Sequence, residues 1–303
     1  MEIEGDKYFV LLYLLLLLVV LATPAVLADG LNDNLTTYVI VGNAAPTVGE
    51  ITCDPPSTIT LTAETSTLLN CTATVSDNNG YENLMGIRGE FYNDSLGASD
   101  NYTKHYNNAT CLFTSNGTTD TNSTVECTFS IYFHANPAEW TIYFNVSDAA
   151  GDTGSNTGTI TVASLTALNV TETVINFGNL DLDETSAQQN TTIKNTGNVE
   201  LDIRINESSH GGNMSCDGVG SADINTSATS TGVRYNTTNA FIFDEADWEL
   251  TSNNNLIEVN WSKSYDGGST TPPGYDLYWL IKVPSSGVSG NCSTVTRITA
   301  TAS

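Results

Sequence analysis

Two turns of the sequence concentrate side-chain oxygens. Asp77-Asn78-Asn79-Gly80 and residues 148–152 each follow a predicted strand. Ca²⁺ takes about six to eight oxygen ligands from such loops, so the candidate ligands of a structural calcium ion are Asp77, Asn79, Asp148 and Asp152. Asp, Asn and Gly are also the ordinary residues of tight turns, and the sequence has no EF-hand or nonapeptide calcium repeat. Turn chemistry is therefore favoured, the structural calcium site is the alternative, and no other cofactor is expected.

The three histidines, His105, His134 and His210, are isolated in the sequence. None belongs to an HExxH motif, a nucleophile motif or a pair at metal-ligand spacing. We therefore interpret each one as a surface or turn residue. The acidic side chains fall in turns or on the outward phase of strands, which argues against the paired carboxylates of a glycosidase. The sequence thus predicts a protein without catalytic residues.

Six cysteines form an even set, which in an exported chain predicts disulfides. Zinc is the alternative, but no pair has CxxC spacing and no histidine cluster accompanies the cysteines. Many different disulfide pairings of six cysteines are possible. Proximity in sequence and the expected domain division favour the pairs Cys53–Cys71, Cys111–Cys127 and Cys216–Cys292.

Asn-x-Ser/Thr sequons occur more often than chance allows. With 32 Asn and 71 Ser plus Thr in 303 residues, chance predicts roughly 7.5 sequons, and the chain has 16. In four predicted strands the sequon also falls on the polar phase, so both tests predict an N-glycosylated surface. Asn-rich turns account for some loop sites but not for the excess. The candidate glycosylation sites are Asn34, Asn70, Asn93, Asn101, Asn108, Asn116, Asn122, Asn145, Asn169, Asn190, Asn206, Asn213, Asn225, Asn236, Asn260 and Asn291.

The amino-acid composition limits which kinds of partner the chain can bind. It has 34 acids against 9 Lys plus Arg, a formal charge of −25, while 40% of its residues are hydrophobic. Acids spread among strands and turns indicate a folded acidic surface rather than a disordered tail. Such a surface repels nucleic acid and anionic lipid, because it has few cations to replace phosphate counterions. We therefore expect no nucleic-acid partner.

The N-terminus predicts export to the cell surface. Residues 8–21 are a nearly unbroken apolar run, and the small Val26 and Ala28 suit a signal-peptidase site before Asp29. A cleaved signal peptide over residues 1–28 is the favoured interpretation, although the usual positive charge before the run is missing. The alternative is an uncleaved membrane anchor, because the run is just long enough to cross a bilayer. We expect membrane association only in that case.

Short stretches of period-two alternation between turn clusters predict an all-β chain. We expect two immunoglobulin-like antiparallel β-sandwiches in tandem. The first covers residues 43–163, with a glycan-shielded excursion near 93–125. A junction at 164–173 leads to the second sandwich at 174–303, which has a long polar insertion at 207–247. The predicted strands are 48–53, 59–61, 69–76, 87–91, 127–133, 140–147, 158–162, 174–177, 189–195, 199–205, 256–262, 275–283 and 295–301.

The extension at residues 29–42 contains an apolar strand-like piece, Tyr38-Val39-Ile40-Val41. By default this piece is the first strand of the first sandwich. Alternatively, it completes a sheet of a neighbouring subunit by strand donation. Deletion of the extension distinguishes these two possibilities. A stable monomer that no longer polymerises would support strand donation, whereas simple unfolding would support the default.

Turn-and-strand motifs of both sandwiches carry a family resemblance. In the first sandwich they are NAAPTV at 43–48, CTATVSD at 71–77 and FNVSDAAGD at 144–152. These resemble microbial immunoglobulin-like repeats of cell-surface proteins. In the second they are INFGNL at 175–180, IKNTGNV at 193–199 and WLIKVP at 279–284. These are similar to sandwich modules common in archaeal surface proteins.

The resemblance implies an envelope, S-layer-associated or filament-forming protein, and it supplies no catalytic residue. We expect a non-enzymatic extracellular glycoprotein with a structural role, its partners being copies of itself or other envelope proteins. The alternative is an adhesin or a carbohydrate- or partner-binding module with an aromatic platform, drawn from the tyrosines or from Trp140, Trp248, Trp261 and Trp279. Alternation places Trp261 and Trp279 inward, which leaves Trp248 as the best exposed candidate.

Overall fold

The computed structural model describes residues 36–108, 111–116, 121–243, 248–263 and 271–303. Within them the chain has β-strands and one short 3-10 helix (Tyr81–Asn83), which confirms the predicted all-β class. No helix in these ranges is long and apolar enough to cross a membrane. The predicted signal peptide at 1–28 and the sequon at Asn34 lie outside the described residues.

Two sheets enclose the first hydrophobic core. The strands are β1 (Thr47–Val48), β2 (Thr52–Asp54), β3 (Thr58–Ile59), β4 (Ser66–Ser76), β5 (Leu84–Tyr92), β6 (His105–Asn108), β7 (Leu112–Asn116), β8 (Asn122–Tyr132), β9 (Ala138–Asp148) and β10 (Thr153–Val162). One sheet has the order β1-β4-β8-β7, with β2 also on β4, and the other has the order β3-β10-β9-β5-β6. Strands β10 and β3 are parallel, whereas the central pairs β4–β8, β9–β10 and β5–β9 are antiparallel.

Alternation along β4 and β9 builds this core, as the sequence predicts. Leu69 and Val75 of β4 are fully buried, and so are Phe144 and Val146 of β9. Trp140 is also fully buried. Its indole nitrogen donates a 2.9 Å hydrogen bond to a main-chain oxygen, and its ring stacks on Phe91 at 4.6 Å between centroids. A satisfied N–H lets this large side chain occupy the centre of the core.

The three predicted disulfides, Cys53–Cys71, Cys111–Cys127 and Cys216–Cys292, are confirmed. Around the first core, Cys71 and Cys127 are register partners on β4 and β8. Their two adjacent disulfides therefore attach the segments that carry Cys53 and Cys111 to the middle of one sheet. Gly89 on β5 faces the second bridge. A Cβ at Gly89 would lie 2.7 Å from the sulfur atoms of both Cys111 and Cys127, so the opposite sheet can approach the bridge only because this residue is glycine.

A second core lies between two further sheets. The strands are β11 (Leu168–Val170), β12 (Gln189–Asn195), β13 (Leu201–Glu207), β14 (Asn213–Cys216), β15 (Ile224–Asn225), β16 (Gly232–Asn236), β17 (Trp248–Glu249), β18 (Asn255–Trp261), β19 (Gly274–Lys282), β20 (Cys292–Ser293) and β21 (Thr296–Ala302). The sheets have the orders β11-β12-β19-β16-β17 and β18-β13-β21, and a small sheet has the order β15-β14-β20. Leu201 and Ile203 of β13 pack in one cluster with Ile193 of β12 and Trp279 of β19. Residues 43–303 form one compact unit, so their division into two domains stays a prediction.

The predicted insertion at 207–247 needs correction, because it contains β16. All five residues of β16 are buried, and the strand pairs with β19 in the main sheet. Its buried Arg234 breaks the apolar alternation that would have marked it as a strand, and it pairs with Glu249 at 2.9 Å. The predicted excursion at 93–125 likewise contains β6 and β7, both of which join core sheets. The predicted junction at 164–173 contains β11.

Candidate binding groove

A groove with an apolar floor opens into the second core. Its cavity volume is about 1250 Å³, which is above the range of about 300–1000 Å³ typical of small-molecule sites. Core side chains form the floor, among them Val233, Trp279 and Ile281. Residues 172–182 and 288–296 complete the lining. The groove is therefore large enough for an extended segment of polypeptide.

Strand β21 brings a free sheet edge to this groove. It pairs with β13 on one side, and no strand in the described part of the chain pairs with its other side. Thr296 and Ile298 of β21 line the groove. Main-chain N–H and C=O groups on such an edge are available to an added strand.

The coil at residues 172–180 lines the groove without joining a sheet. Ile175 and Phe177 are half-buried against the second core, whereas Val174 is 76% exposed. The predicted strand at 174–177 is therefore wrong. Its side chains alternate as in a strand, but across the described residues the segment has no strand partner to make it one.

Glu207 fixes the rim of the groove at the end of β13. Its buried carboxylate accepts hydrogen bonds of 2.6–2.8 Å from the N–H groups of Ser209, His210 and Gly212 and from the hydroxyls of Ser209 and Thr294. Burial alone would raise the pKa of Glu207, but these donors outweigh it and lower the pKa to about 2. Because Thr294 lines the groove, the ionised carboxylate holds this wall against β13.

The structure connects the two predicted calcium loops through Asn43 and Ala44. The Asn43 amide nitrogen donates to Asp148 at 2.6 Å and to Asp152 at 2.8 Å, and the N–H of Ala44 donates to Asn79 Oδ1 at 2.7 Å. Within its own turn, the Asp77 carboxylate accepts the N–H of Asn79 at 2.7 Å. The Asn43 hydrogen bond is the main cause that holds the pKa of Asp148 below its ordinary value. No group of three His, Cys, Asp or Glu side chains suited to a metal is found in the described ranges. Turn hydrogen bonding thus accounts for these residues, and the calcium site stays a prediction.

His105 is buried between two carboxylates, so its interpretation as a surface residue is wrong. Its Nδ1 lies 2.8 Å from Asp94 and its Nε2 lies 3.2 Å from Glu90. Glu90 is also fully buried and accepts the N–H of Gly97 at 2.8 Å. The cluster ties the connection between β5 and β6 to the sheet. Sequence reasoning missed it because Glu90 and Asp94 face His105 only after β5 and β6 have paired.

His134 is also buried, so it is not a surface residue, although it lies in a turn after β8 as its interpretation allowed. Burial, assisted by the nearby Lys263 cation, lowers the pKa of His134 to about 4, so the ring is neutral near pH 7. His210 is exposed as expected, and its Nδ1 lies 2.6 Å from the Ser209 hydroxyl. The same hydroxyl donates to Glu207, so Ser209 lies between the imidazole and the carboxylate. In a catalytic triad the imidazole lies between the carboxylate and the serine, so these contacts do not form one.

All four tryptophans are described, and none is exposed. Trp140 is fully buried, and Trp261 and Trp279 point inward as predicted, with exposures of 7% and 1%. Trp248 is half-buried and stacks on Tyr235 at 5.8 Å between ring centroids. The expectation that Trp248 is an exposed platform is therefore not met.

The sequons differ in exposure. The side chains of Asn190, Asn225, Asn260 and Asn291 are exposed, and most other described sequon asparagines are half-buried. Asn236 is the exception among them, because it lies in β16 and is 6% exposed. The expectation of a solvent-facing asparagine fails at this sequon.

No protein-family profile matches the chain, and no curated protein matches its sequence. One similar solved structure is described as "Structural basis for the promiscuous specificity of the carbohydrate-binding modules from the beta-sandwich super family". It covers 86% of this chain and 97% of its own, at 14% identity and a TM-score of 0.26. A likeness at this level carries no argument about what this chain binds.

Proposed function

We propose that this chain is a non-catalytic binding protein of the cell surface whose second sandwich holds a partner in the groove beside β21. The observation that carries the proposal is an apolar-floored cavity of about 1250 Å³ next to a strand edge that lacks a neighbour among the described strands. Three disulfides and an excess of sequons support an extracellular setting. The resemblance to microbial surface modules supports a place in a cell envelope.

The chemistry of the groove favours an extended apolar peptide over a sugar. A strand added at β21 would satisfy main-chain hydrogen bonds while alternate side chains enter the apolar floor. Sugar sites, in contrast, rely on exposed aromatic faces, and the two aromatic residues described in the groove lining are not exposed: Phe177 is half-buried and Trp279 is buried. The partner-binding form of the proposal is therefore better supported than the carbohydrate-binding form.

Fluorescence of the apolar dye ANS tests whether the groove can be occupied. The measurement uses native protein at a concentration where sedimentation shows single copies. Val288, half-buried in the groove lining, is changed to Trp to fill the cavity. We expect native protein to bind ANS and Val288→Trp to bind it about tenfold more weakly.

The matched control is Leu96→Trp, a half-exposed turn position of the first sandwich. This variant should bind ANS like the native protein, because it leaves the groove unchanged. Equal ANS binding by native protein and Val288→Trp would show that the groove is not a binding site.

A further inference from the structure

Residues 36–42 are an exposed apolar segment in a unit separate from residues 43–303. Tyr38, Val39, Ile40 and Val41 are 87%, 82%, 87% and 77% exposed, and none of them lies in a strand. This arrangement differs from the default expectation, in which they form the first strand of the first sandwich. Four consecutive exposed residues of high β-propensity and no charge are typical of a segment that pairs with another strand.

The segment suits the groove in charge. Its apolar piece Tyr38-Val39-Ile40-Val41 fits within the seven residues of β21, so one extended copy can pair along this edge. The segment has no charged residue, whereas the chain carries a formal charge of −25 and the groove lining includes Glu172 and Asp181. An uncharged strand therefore avoids the repulsion that most other segments of this acidic chain would meet there.

The alternation of the segment also suits the groove. In an extended strand Tyr38 and Ile40 face one side, and Val39 and Val41 face the other. Either pair can enter the floor formed by Val233, Trp279 and their neighbours. Pairing would remove from water one of these two pairs of side chains and the unpaired edge of β21, and both features invite association.

We propose that residues 36–42 of a second copy pair with the outer edge of β21 and fill the groove. This inference rests on the proposed function and names its partner as another copy of the chain. Donor and groove are different surfaces of each copy, so the contact is head-to-tail. Such contacts leave one donor and one groove free at the ends and extend into chains of copies.

A mixing experiment with two variants of the secreted full chain tests this contact. Ile40→Asp places a charge in the donor and keeps the groove, whereas Val288→Trp fills the groove and keeps the donor. By sedimentation, native protein should form chains that grow with concentration, and each variant alone should remain monomeric. An equimolar mixture should give a dimer and nothing larger, because only one donor and one groove are intact. Leu96→Asp, the matched exposed apolar position, should assemble like the native protein.

Hydrogen exchange locates the contact. The β21 amides that point away from β13 should exchange slowly in native chains and in the mixed dimer, and at least tenfold faster in either monomeric variant. A native chain that stays monomeric at every concentration, or a mixture without a dimer, would overturn the inference. A third result would also overturn it: these β21 amides exchange slowly in monomeric native protein, and Ile40→Asp abolishes this slow exchange. The segment would then occupy the groove of its own chain.

The ANS experiment keeps this inference separate from the proposed function. Suppose that Val288→Trp weakens ANS binding but native protein does not assemble. The groove would then still be a binding site, and a second copy of the chain would be rejected as its occupant. Assembly of native protein that Val288→Trp leaves intact would reject the groove as the contact. A synthetic peptide of residues 36–42 should displace ANS from monomeric Ile40→Asp protein, and failure to displace it would also count against the inference.

Discussion

The side-chain amide nitrogen of Asn198 donates a 2.8 Å hydrogen bond to the main-chain oxygen of Ala135, which belongs to the first hydrophobic core. The same amide donates to the oxygen of Ala163 at 2.9 Å, and its oxygen accepts the N–H of Leu165 at 2.6 Å. Asn198 is fully buried, and it ends the NTGN motif at residues 195–198. This turn therefore holds the first core against the second.

Asn198→Asp tests this link, because aspartate keeps the acceptor and loses both donors. We expect the free energy of unfolding to fall by about 3–5 kcal/mol, since two buried carbonyl oxygens lose their donors and face a buried carboxylate charge instead. Urea unfolding at pH 7 measures the change. The matched control is the exposed Asn254→Asp, which should change stability by less than about 0.5 kcal/mol. Equal effects of the two variants would show that the hydrogen bonds of Asn198 do not stabilise the junction.

The contact between Gly89 and the Cys111–Cys127 disulfide gives a second prediction. Gly89→Ala places a Cβ 2.7 Å from both sulfur atoms, so β5 must move away from the opposite sheet. We expect a loss of about 1–3 kcal/mol in thermal or urea unfolding. The control is Gly158→Ala on β10, whose added Cβ would lie 3.6 Å from its nearest neighbour and should be tolerated. An unchanged stability of Gly89→Ala would mean that the sheets are further apart than described.

Regular alternation allowed much of the fold to be predicted from the sequence. Strands with one clean apolar phase, such as β4 and β9, were found because water on one face and core on the other impose a period of two. Strand β16 was missed because all five of its residues are buried, including Arg234, whose guanidinium reaches Glu249 only in the folded sheet. Strand pairing between distant segments, which decides such cases, leaves no local pattern.

The candidate site was less predictable than the fold. Nothing local marks β21 as an edge strand, since its lack of a second partner among the described strands is a property of the whole sheet. Residues 174–177 have the alternation expected for that neighbour but remain coil. The apolar piece at 38–41 could be recognised, because consecutive β-branched residues are visible in the sequence alone.

The pKa of Glu207 predicts how stability depends on pH. Because the folded pKa of about 2 lies below the ordinary value of 4.5, ionised Glu207 stabilises the protein above about pH 5. This contribution is lost as the pH falls towards 2. Glu207→Gln should lower the free energy of unfolding by about 1–3 kcal/mol at pH 7 and flatten the decline below pH 5. Urea unfolding at several pH values measures both effects.

The control for Glu207→Gln is Glu258→Gln, a change at an exposed carboxylate of β18. It removes one negative charge without removing a buried acceptor, so the pH profile should keep the native shape. A Glu207→Gln profile that parallels the native one between pH 2 and pH 5 would contradict the assigned pKa.

Thermal unfolding with added CaCl₂ tests the calcium prediction at Asp77, Asn79, Asp148 and Asp152. If the loops bind calcium, the midpoint should rise with ligand concentration, as for any ligand that binds only the folded state. Asp152→Asn should remove that rise, because it takes one carboxylate from the pair that Asn43 now joins. Mg²⁺ at the same ionic strength is the control for charge screening. An unchanged midpoint with CaCl₂ would assign these residues to turn hydrogen bonding alone.

Glycan occupancy should follow exposure at the sequons, and Asn236 and Asn260 make the sharpest comparison. Asn260 is exposed on β18, whereas Asn236 is the buried last residue of β16, with its side-chain oxygen accepting the N–H of Thr238 at 2.9 Å. A glycan needs a solvent-facing asparagine and Asn236 is only 6% exposed, so folded protein should carry this asparagine unmodified. Mass spectrometry of glycopeptides from a glycosylating host should find glycan at Asn260 and none at Asn236. Substantial occupancy of Asn236 in folded protein would contradict the burial of β16 and, with it, the order of the main sheet of the second sandwich.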